Sequence, residues 1–230
     1  MFSNTDELFA RIKEGYKAIA PSILSADLWN LEKELLDIEN DIDLIHFDVM
    51  DGIFVPNISF GFPLLDAVRK HSNYILDVHL MIEEPNRYFS DFYKFGADIL
   101  TVHYEAMKHP YRDLLEIKKM GMKVGLTINP GTSLNSIIEL IPLIDLLLIM
   151  TVEPGFGGQA ITENAYRKVA EAREILNELN KSCIIEVDGG VSKSTISKLA
   201  EAGSDIFVAG SAIFSHDNRK EAILELRSGF

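Results

Sequence analysis

The sequence predicts an α/β fold, a single (βα)8 TIM barrel, and three observations support this prediction. Eight short apolar segments rich in β-branched residues alternate with eight segments of helical periodicity. The strands are apolar almost throughout, which is typical of a parallel sheet covered by helices. The 230 residues contain no linker or composition break, so one barrel fits better than two domains. An open doubly wound sheet is the alternative, and eight regular units favour closure.

The chain begins with an amphipathic pattern over residues 4–14, which predicts a short helix capped by Asn4 or Thr5. We therefore divide the chain into an N-terminal extension, residues 1–17, and a catalytic barrel domain, residues 18–230. The predicted strands cover residues 18–24, 43–49, 74–80, 97–103, 122–128, 144–151, 183–188 and 204–209. The predicted helices that follow them cover residues 27–39, 61–71, 86–95, 110–120, 134–141, 162–180, 192–202 and 217–228.

Composition and charge argue against several classes of function. The net charge of −13 disfavours nucleic acid or an anionic membrane surface as a partner. Cys183 is the only cysteine, which rules out an intrachain disulfide and favours a reducing compartment. The longest apolar run, residues 141–152, is interrupted by Pro142 and Asp145 and is too short to cross a membrane. Since residues 1–17 show no secretory signal, we expect a cytoplasmic protein.

The second predicted strand carries the most unusual residues of the chain. Successive side chains in a strand point to opposite faces, so His46 and Asp48 share one face with Leu44. An apolar strand gains no stability from these two residues, because burying either of them without a partner is costly. Active sites of such barrels lie at the carboxyl ends of the strands. The pair therefore predicts a bound divalent cation at that end.

Two further strand ends carry matching residues: His79 lies near the end of the third strand, and Glu186 and Asp188 share one face at the end of the seventh. Two imidazoles and two carboxylates would then converge, and such a set suits one Zn²⁺, Fe²⁺, Mn²⁺ or Co²⁺ ion per chain. The candidate ligands are His46, Asp48 and His79, with Glu186 or Asp188 from the seventh strand. A single strand-end histidine is more often a core residue, but four such residues at one rim favour a metal site. Asp51, which precedes a glycine, is interpreted as a turn residue.

Glycine-rich segments follow the sixth, seventh and eighth strands. They contain Gly155, Phe156, Gly157 and Gly158, then Gly189 and Gly190, and then Gly210 with Ser211. Glycines let backbone N–H groups approach an anion closely, and barrels commonly hold phosphate near strands seven and eight. Each loop alone is equally consistent with a tight turn, whereas three loops at one rim favour a phosphate site. No lysine or arginine lies in these loops, so amides and the Ser211 hydroxyl would hold the phosphate.

Three methionines fall at strand ends near the predicted metal: Met50, Met81 and Met150. Thioethers usually fill cores, and here they are equally consistent with a polarizable wall around an electron-rich intermediate. His103 ends the fourth strand and is a candidate partner for a metal ligand. No lysine ends a strand, because Lys123 begins the fifth one. A Schiff-base aldolase is therefore disfavoured.

These segments together resemble the ribulose-phosphate 3-epimerase family over nearly the whole chain, residues 20–226. The resemblance is carried by residues 20–27 (APSILSAD), 46–52 (HFDVMDG), 54–57 (FVPN) and 77–81 (DVHLM). It continues in residues 150–159 (MTVEPGFGGQ), 186–190 (EVDGG) and 209–212 (AGSA). Two features depart from the family pattern. Ile53 stands where the family usually has histidine, and residues 1–17 form a longer lead than usual.

The resemblance implies roles for the residues already singled out. His46, Asp48, His79 and Asp188 would bind one divalent metal, and the two aspartates would also be the acid and base. Ser22, together with His79, would contact the substrate. The three methionines would line the reacting carbons, and the glycine loops with Ser211 would hold the phosphate.

The implied reaction interconverts D-ribulose 5-phosphate and D-xylulose 5-phosphate by inversion at C3, a step of the pentose phosphate pathway. A bound metal would stabilise the enediolate formed when C3 loses its proton, and inversion needs a carboxylate on each face. Two alternatives stay open. A D-allulose-6-phosphate 3-epimerase is disfavoured by the intact glycine loops, and a phosphosugar-binding barrel without catalysis is disfavoured by the second carboxylate. We also expect a homo-oligomer.

Overall fold

The computed structural model describes Phe2 and residues 4–230, and its strands confirm the predicted barrel. The strands are β1 (Ala18–Pro21), β2 (Ile45–Met50), β3 (Leu76–Met81), β4 (Ile99–His103), β5 (Lys123–Ile128), β6 (Leu146–Met150), β7 (Ile184–Asp188) and β8 (Ile206–Ala209). Their pairings are parallel, in the order β1-β8-β7-β6-β5-β4-β3-β2. A parallel bridge between Ser22 and His46 joins the two end strands, so the barrel is nearly closed.

Helices follow the strands and cover the outside of the barrel. Within the described part of the chain the α-helices are α1 (Thr5–Lys13), α2 (Leu31–Leu36), α3 (Phe62–His71), α4 (Phe89–Lys94), α5 (Pro110–Met120), α6 (Ala165–Leu179), α7 (Ile196–Ala202), α8 (Ser211–Phe214) and α9 (Arg219–Arg227). The 3₁₀ helices are Ile23–Ser25, Leu28–Asn30, Pro85–Arg87, Tyr104–Ala106 and Leu134–Leu143. None of these helices has the length and apolar character needed to cross a bilayer.

Several predicted elements differ from the observed ones in their bounds, and two of these differences have a clear local cause. The first strand, predicted to residue 24, ends at Pro21, because the Ser22 hydroxyl accepts from the N–H of Leu24 at 3.3 Å and the chain turns into a 3₁₀ helix. The segment predicted as a helix over residues 134–141 is a 3₁₀ helix that extends to Leu143. Pro142 lies inside this helix and has no N–H to donate to an α-helical turn.

The N-terminal helix α1 closes the amino-terminal end of the barrel. Its Leu8, Phe9 and Ile12 are buried and pack in one cluster with side chains that fill the barrel interior. Those interior side chains include Ala18, Leu44, Ile75, Ile99, Leu146, Ile184 and Ile206. The predicted helix at the start of the chain is thus present, and its apolar face is part of the interior core. The division between residues 1–17 and residues 18–230 stays a prediction.

Aspartates that precede alternate strands fasten the same end of the barrel. Each accepts the backbone N–H of a neighbouring strand at 2.8 or 2.9 Å: Asp43 from Ile19, Asp98 from Leu76, Asp145 from Val124 and Asp205 from Ile185. Three of them also pair with arginines: Asp43 with Arg227, Asp98 with Arg69 and Asp205 with Arg173. These contacts hold the strand ends opposite to the site described below.

The strand register sets which side chains meet at the carboxyl ends. Between β2 and β3, His46 is opposite Asp77 and Asp48 is opposite His79. Successive side chains of a strand alternate between its two faces, and these four lie on the face toward the barrel interior, where all four are buried. Two neighbouring strands therefore deliver two imidazoles and two carboxylates to one part of the interior.

Candidate active site and metal centre

The four side chains predicted as metal ligands converge at the carboxyl end of the barrel. His46 Nε2 lies 3.3 Å from Asp48 Oδ1, and His79 Nδ1 lies 3.2 Å from the same oxygen. His79 Nδ1 also lies 3.7 Å from Asp188 Oδ2. One atom from each of the four residues lies within 4.8 Å of the others, and both imidazoles are fully buried. The strands therefore bring together the set that the sequence singled out.

A carboxylate orients His46. Its Nδ1 lies 2.5 Å from Asp77 Oδ2 and 3.8 Å from Glu186 Oε1, and both of these acidic side chains are fully buried. The hydrogen bond to Asp77 keeps a proton on Nδ1 and leaves Nε2 to face Asp48. Carboxylate partners of this kind fix the ring orientation of metal-binding histidines.

A second imidazole orients His79. The Nε2 atoms of His79 and His103 lie 2.8 Å apart, and the two ring centroids are separated by 4.9 Å. On its far side, His103 Nδ1 lies 3.4 Å from Glu105 Oε2. Burial lowers the pKa of His103 to about 4, so this ring is neutral near pH 7.

The donor set fits a divalent cation. Within the described residues, the buried Nε2 of His46 has no hydrogen-bond partner. An unpartnered polar atom in a protein interior is costly, and a cation would use its lone pair. Two imidazole nitrogens and two carboxylates are ligands that Zn²⁺, Fe²⁺, Mn²⁺ and Co²⁺ all accept. The cluster of His46, Asp48, His79 and Asp188 could therefore hold one such ion.

The two aspartates have perturbed carboxyl groups. Burial acts to raise the pKa of Asp48, but His46 and His79 outweigh it and hold that pKa well below its ordinary range. Burial, followed by the negative charge of Asp48, raises the pKa of Asp188 to about 6. Buried carboxyl groups whose pKa values are moved apart in this way are typical of acid–base sites.

A cavity of about 630 Å³ opens above this cluster. Asp48 and Asp188 lie at its surface together with Ser22, whose hydroxyl donates to Asp48 Oδ2 over 2.5 Å. The three predicted methionines, Met50, Met81 and Met150, line the same cavity. Their thioethers give this part of the cavity an apolar, polarizable surface.

The glycine-rich loops form the other side of the cavity. Its lining includes every residue predicted for the phosphate site: Gly155, Phe156, Gly157, Gly158, Gly189, Gly190, Gly210 and Ser211. Gly190 has a φ of +64°, and a Cβ there would lie 2.8 Å from the backbone nitrogen of Ile161. Only glycine allows this close packing of the loops after β6 and β7. Among the described residues that line the cavity, none is a lysine or arginine.

The loop after β2 reaches across to the loop after β6. Asn57 donates from Nδ2 to the carbonyl oxygen of Gly155 at 2.9 Å. Asp51 accepts three backbone N–H groups, those of Ile53, Phe54 and Glu83. This is the turn role predicted for Asp51, and it ties the loop after β2 to the loop after β3. Ile53 in this loop is 76% exposed.

Three residues make contacts near the site that the sequence alone does not predict: Asp77, Glu105 and Asn57. A signal for Asp77 exists, because it lies two residues before His79 and shares its strand face. Glu105 lies two residues after its partner His103, but its contacts with Asn129 and Thr132, like that of Asn57 with Gly155, join loops distant in the chain and have no comparable signal.

Comparison with known proteins gives a consistent result. The Ribulose-phosphate 3 epimerase family matches residues 18–214. The ribulose-phosphate 3-epimerase of Bacillus subtilis (strain 168) is 48% identical over 211 residues, covering 91% of this chain and 97% of the relative. That of Synechocystis sp. is 45% identical over 213 residues, covering 91% and 93%. A solved structure of KGPDC from Streptococcus mutans has a TM-score of 0.72 at 14% identity, covering 93% and 97%, and this likeness concerns the fold.

Proposed function

The chain belongs to the ribulose-phosphate 3-epimerase family, and we propose that it inverts C3 of a ketopentose phosphate, interconverting D-ribulose 5-phosphate and D-xylulose 5-phosphate. One observation carries the proposal: Asp48 and Asp188 line one cavity and lie within 4.8 Å of the buried imidazoles of His46 and His79. Inversion requires two acid–base groups at one carbon, whereas a protein that only binds the sugar phosphate needs no second carboxylate.

The cavity has two chemically different ends, which would orient the substrate. The phosphate would lie among the loops after β6, β7 and β8, where backbone N–H groups and the Ser211 hydroxyl can donate to it. The carbon chain would then extend toward Asp48 and Asp188, beside the three methionines. The fixed phosphate positions C3 between the carboxyl groups, so binding energy from the remote group is used for orientation.

The two aspartates would divide the proton transfers. One carboxylate removes the C3 proton from one face of the substrate, and the other carboxyl group returns a proton to the opposite face. The roles exchange in the reverse direction. The Ser22 hydroxyl holds Asp48 in place, and the apolar methionine wall keeps water from competing for the proton.

His46, Asp48, His79 and Asp188 would hold one divalent ion per chain, Zn²⁺, Fe²⁺, Mn²⁺ or Co²⁺. When bound, such an ion supplies Lewis-acid stabilisation for the negative charge that develops when C3 loses its proton. We further propose a cytoplasmic location, which the single cysteine supports, and a homo-oligomer, which the exposed side chains of Trp29, Ile53 and Ile58 support.

The test compares D-ribulose 5-phosphate with D-allulose 6-phosphate as substrates of the purified chain, together with elemental analysis for metal. We expect about one divalent ion per chain, a higher specificity constant for the pentose phosphate, and loss of turnover on exhaustive chelation. Preference for the hexose phosphate would identify the alternative 3-epimerase. Tight binding of both sugars without turnover in the metal-loaded protein would identify a binding protein instead.

A further inference from the structure

The two ring nitrogens of His79 face different surroundings. Nδ1 faces the carboxylates, 3.2 Å from Asp48 Oδ1 and 3.7 Å from Asp188 Oδ2. Nε2 lies 2.8 Å from Nε2 of His103, a hydrogen-bond distance between two atoms that can each be donor or acceptor. Such a bond forms only when one of the two nitrogens carries a proton and the other does not. The position of that proton therefore decides what His79 can do.

Metal binding fixes the proton position. A histidine binds a cation through an unprotonated nitrogen, so His79 can bind through Nδ1 only when its proton is on Nε2. That N–H then donates to His103 Nε2, which must be unprotonated. The proton of His103 is consequently on Nδ1, the atom that lies 3.4 Å from Glu105 Oε2. Both imidazoles are fully buried, so the contacts within the barrel decide which nitrogens carry the protons.

The contacts join His79, His103 and Glu105 in series, and Glu105 at the outer end has the contacts of a fixed anion. Its Oε1 accepts the backbone N–H of Asn129 at 2.8 Å and also the hydroxyl of Thr132. The side chain is 22% exposed, so it joins the buried imidazoles to the barrel surface. Within the described residues His103 Nδ1 makes no hydrogen bond, and the Glu105 carboxylate 3.4 Å away favours a proton on that nitrogen through its negative charge.

We propose that His103 and Glu105 are positioning residues that hold His79 in the tautomer able to bind the metal. This inference rests on the metal centre proposed above. The series runs outward from Asp48 through His79 on β3, His103 at the end of β4 and Glu105 in the following 3₁₀ helix. Without the acceptor at His103, the buried N–H of His79 has no partner, and the tautomer with the proton on Nδ1 competes with the cation.

The test measures the affinity of the metal-free full chain for Co²⁺ and Zn²⁺ by competition with a chromophoric chelator. His103→Phe keeps a ring that can pack against Phe54, whose centroid lies 4.6 Å from that of His103, but removes the acceptor. We expect a loss of affinity of roughly 10–100-fold, the usual effect of removing a partner of a metal-binding histidine. His103→Gln restores an acceptor near the position of Nε2 and should recover part of the loss.

Two further variants separate the carboxylate from the loop that it holds. Glu105→Gln replaces the anion that faces His103 and should weaken metal binding in the same direction. Thr132→Val removes a donor to Oε1 and leaves Oε2 facing His103, so metal affinity should stay close to the wild-type value. The melting temperature of each metal-free variant shows whether a loss of affinity merely follows a loss of folding.

The outcomes distinguish the two levels of the proposal. A wild-type chain that takes up neither ion overturns the proposed metal centre and this inference with it. A wild-type chain that binds metal, with His103→Phe and Glu105→Gln binding equally tightly, overturns the positioning role alone. Equal weakening by Thr132→Val and Glu105→Gln, or a His103→Gln variant no better than His103→Phe, would also overturn it. The positioning role is supported if His103→Phe and Glu105→Gln weaken metal binding, His103→Gln weakens it less than His103→Phe, and Thr132→Val leaves it close to the wild-type value. All of these variants must remain folded.

Discussion

Ser22 Oγ donates to Asp48 Oδ2 over 2.5 Å, while Oδ1 of the same carboxylate faces the imidazoles of His46 and His79. Ser22 follows β1 and Asp48 lies on β2, the two strands at the ends of the sheet order. The bridge between Ser22 and His46 joins these strands where the barrel closes. Closure of the barrel therefore orients the carboxylate that we propose as a catalytic group.

Replacing Ser22 with alanine should lower kcat by roughly 10–100-fold, the usual effect of losing a hydrogen bond to a charged group. The reason is that Asp48 Oδ2 loses its donor and the carboxylate is no longer held in one orientation. Steady-state kinetics with measured metal content tests this. Ser59→Ala is the matched control, because Ser59 donates to the backbone carbonyl of Asp48 and not to its carboxylate. A kcat unchanged in Ser22→Ala, or reduced equally in both variants, would contradict the prediction.

Replacing Asp48 or Asp188 with asparagine should reduce the rate of epimerisation by about 10²-fold or more, the usual contribution of proton transfer. An amide cannot remove or return the C3 proton, and one remaining carboxylate can only return a proton to the face from which it came. Because both residues are proposed ligands, metal content must be measured in each variant.

The same two variants distinguish proton removal from inversion. In deuterated solvent, a variant that keeps its metal should still exchange the C3 hydrogen on one face without forming the epimer. Nuclear magnetic resonance of the recovered sugar phosphate measures this exchange. Epimerisation near the wild-type rate in either metal-loaded variant would mean that two carboxylates are not required.

Unphosphorylated ribulose should be a very poor substrate, because the glycine loops would hold the phosphate through backbone N–H groups.

Gly190→Ala should raise KM for D-ribulose 5-phosphate, since its Cβ would lie 2.8 Å from the Ile161 nitrogen and displace the loop. Gly131→Ala is the control, because a Cβ at Gly131 meets no atom within 4 Å. Similar specificity constants of the wild-type chain for ribulose and D-ribulose 5-phosphate would remove the phosphate site from the mechanism.

Replacing Leu8 with alanine should reduce the free energy of unfolding by about 2–5 kcal/mol, the usual range for a buried leucine. Leu8 is fully buried in the interior cluster, so its loss leaves a cavity at the amino-terminal end of the barrel. Urea denaturation measures the change. Arg11→Ala on the same helix is the control, because its ion pair with Glu14 is exposed and should contribute little. A Leu8→Ala variant as stable as Arg11→Ala would show that α1 does not support the barrel.

The sequence by itself determined the barrel, the four side chains that could hold a metal and the glycine loops of the cavity. These features follow from local rules that act along one strand or one turn. Alternation places His46 and Asp48 on one face of a strand. Chain direction places their strand ends at the same rim as those of His79 and Asp188, because strands joined by helices run parallel.

Only the tertiary structure decided how these side chains are oriented. The contact of His46 with Asp77 depends on the register between β2 and β3, and the contact of His79 with His103 depends on the register between β3 and β4. The packing of α1 into the barrel depends equally on closure. A one-residue shift of register would turn every side chain of a strand to the other face. Register and closure are set by the sum of contacts between strands distant in the chain, so no single segment of the sequence contains them.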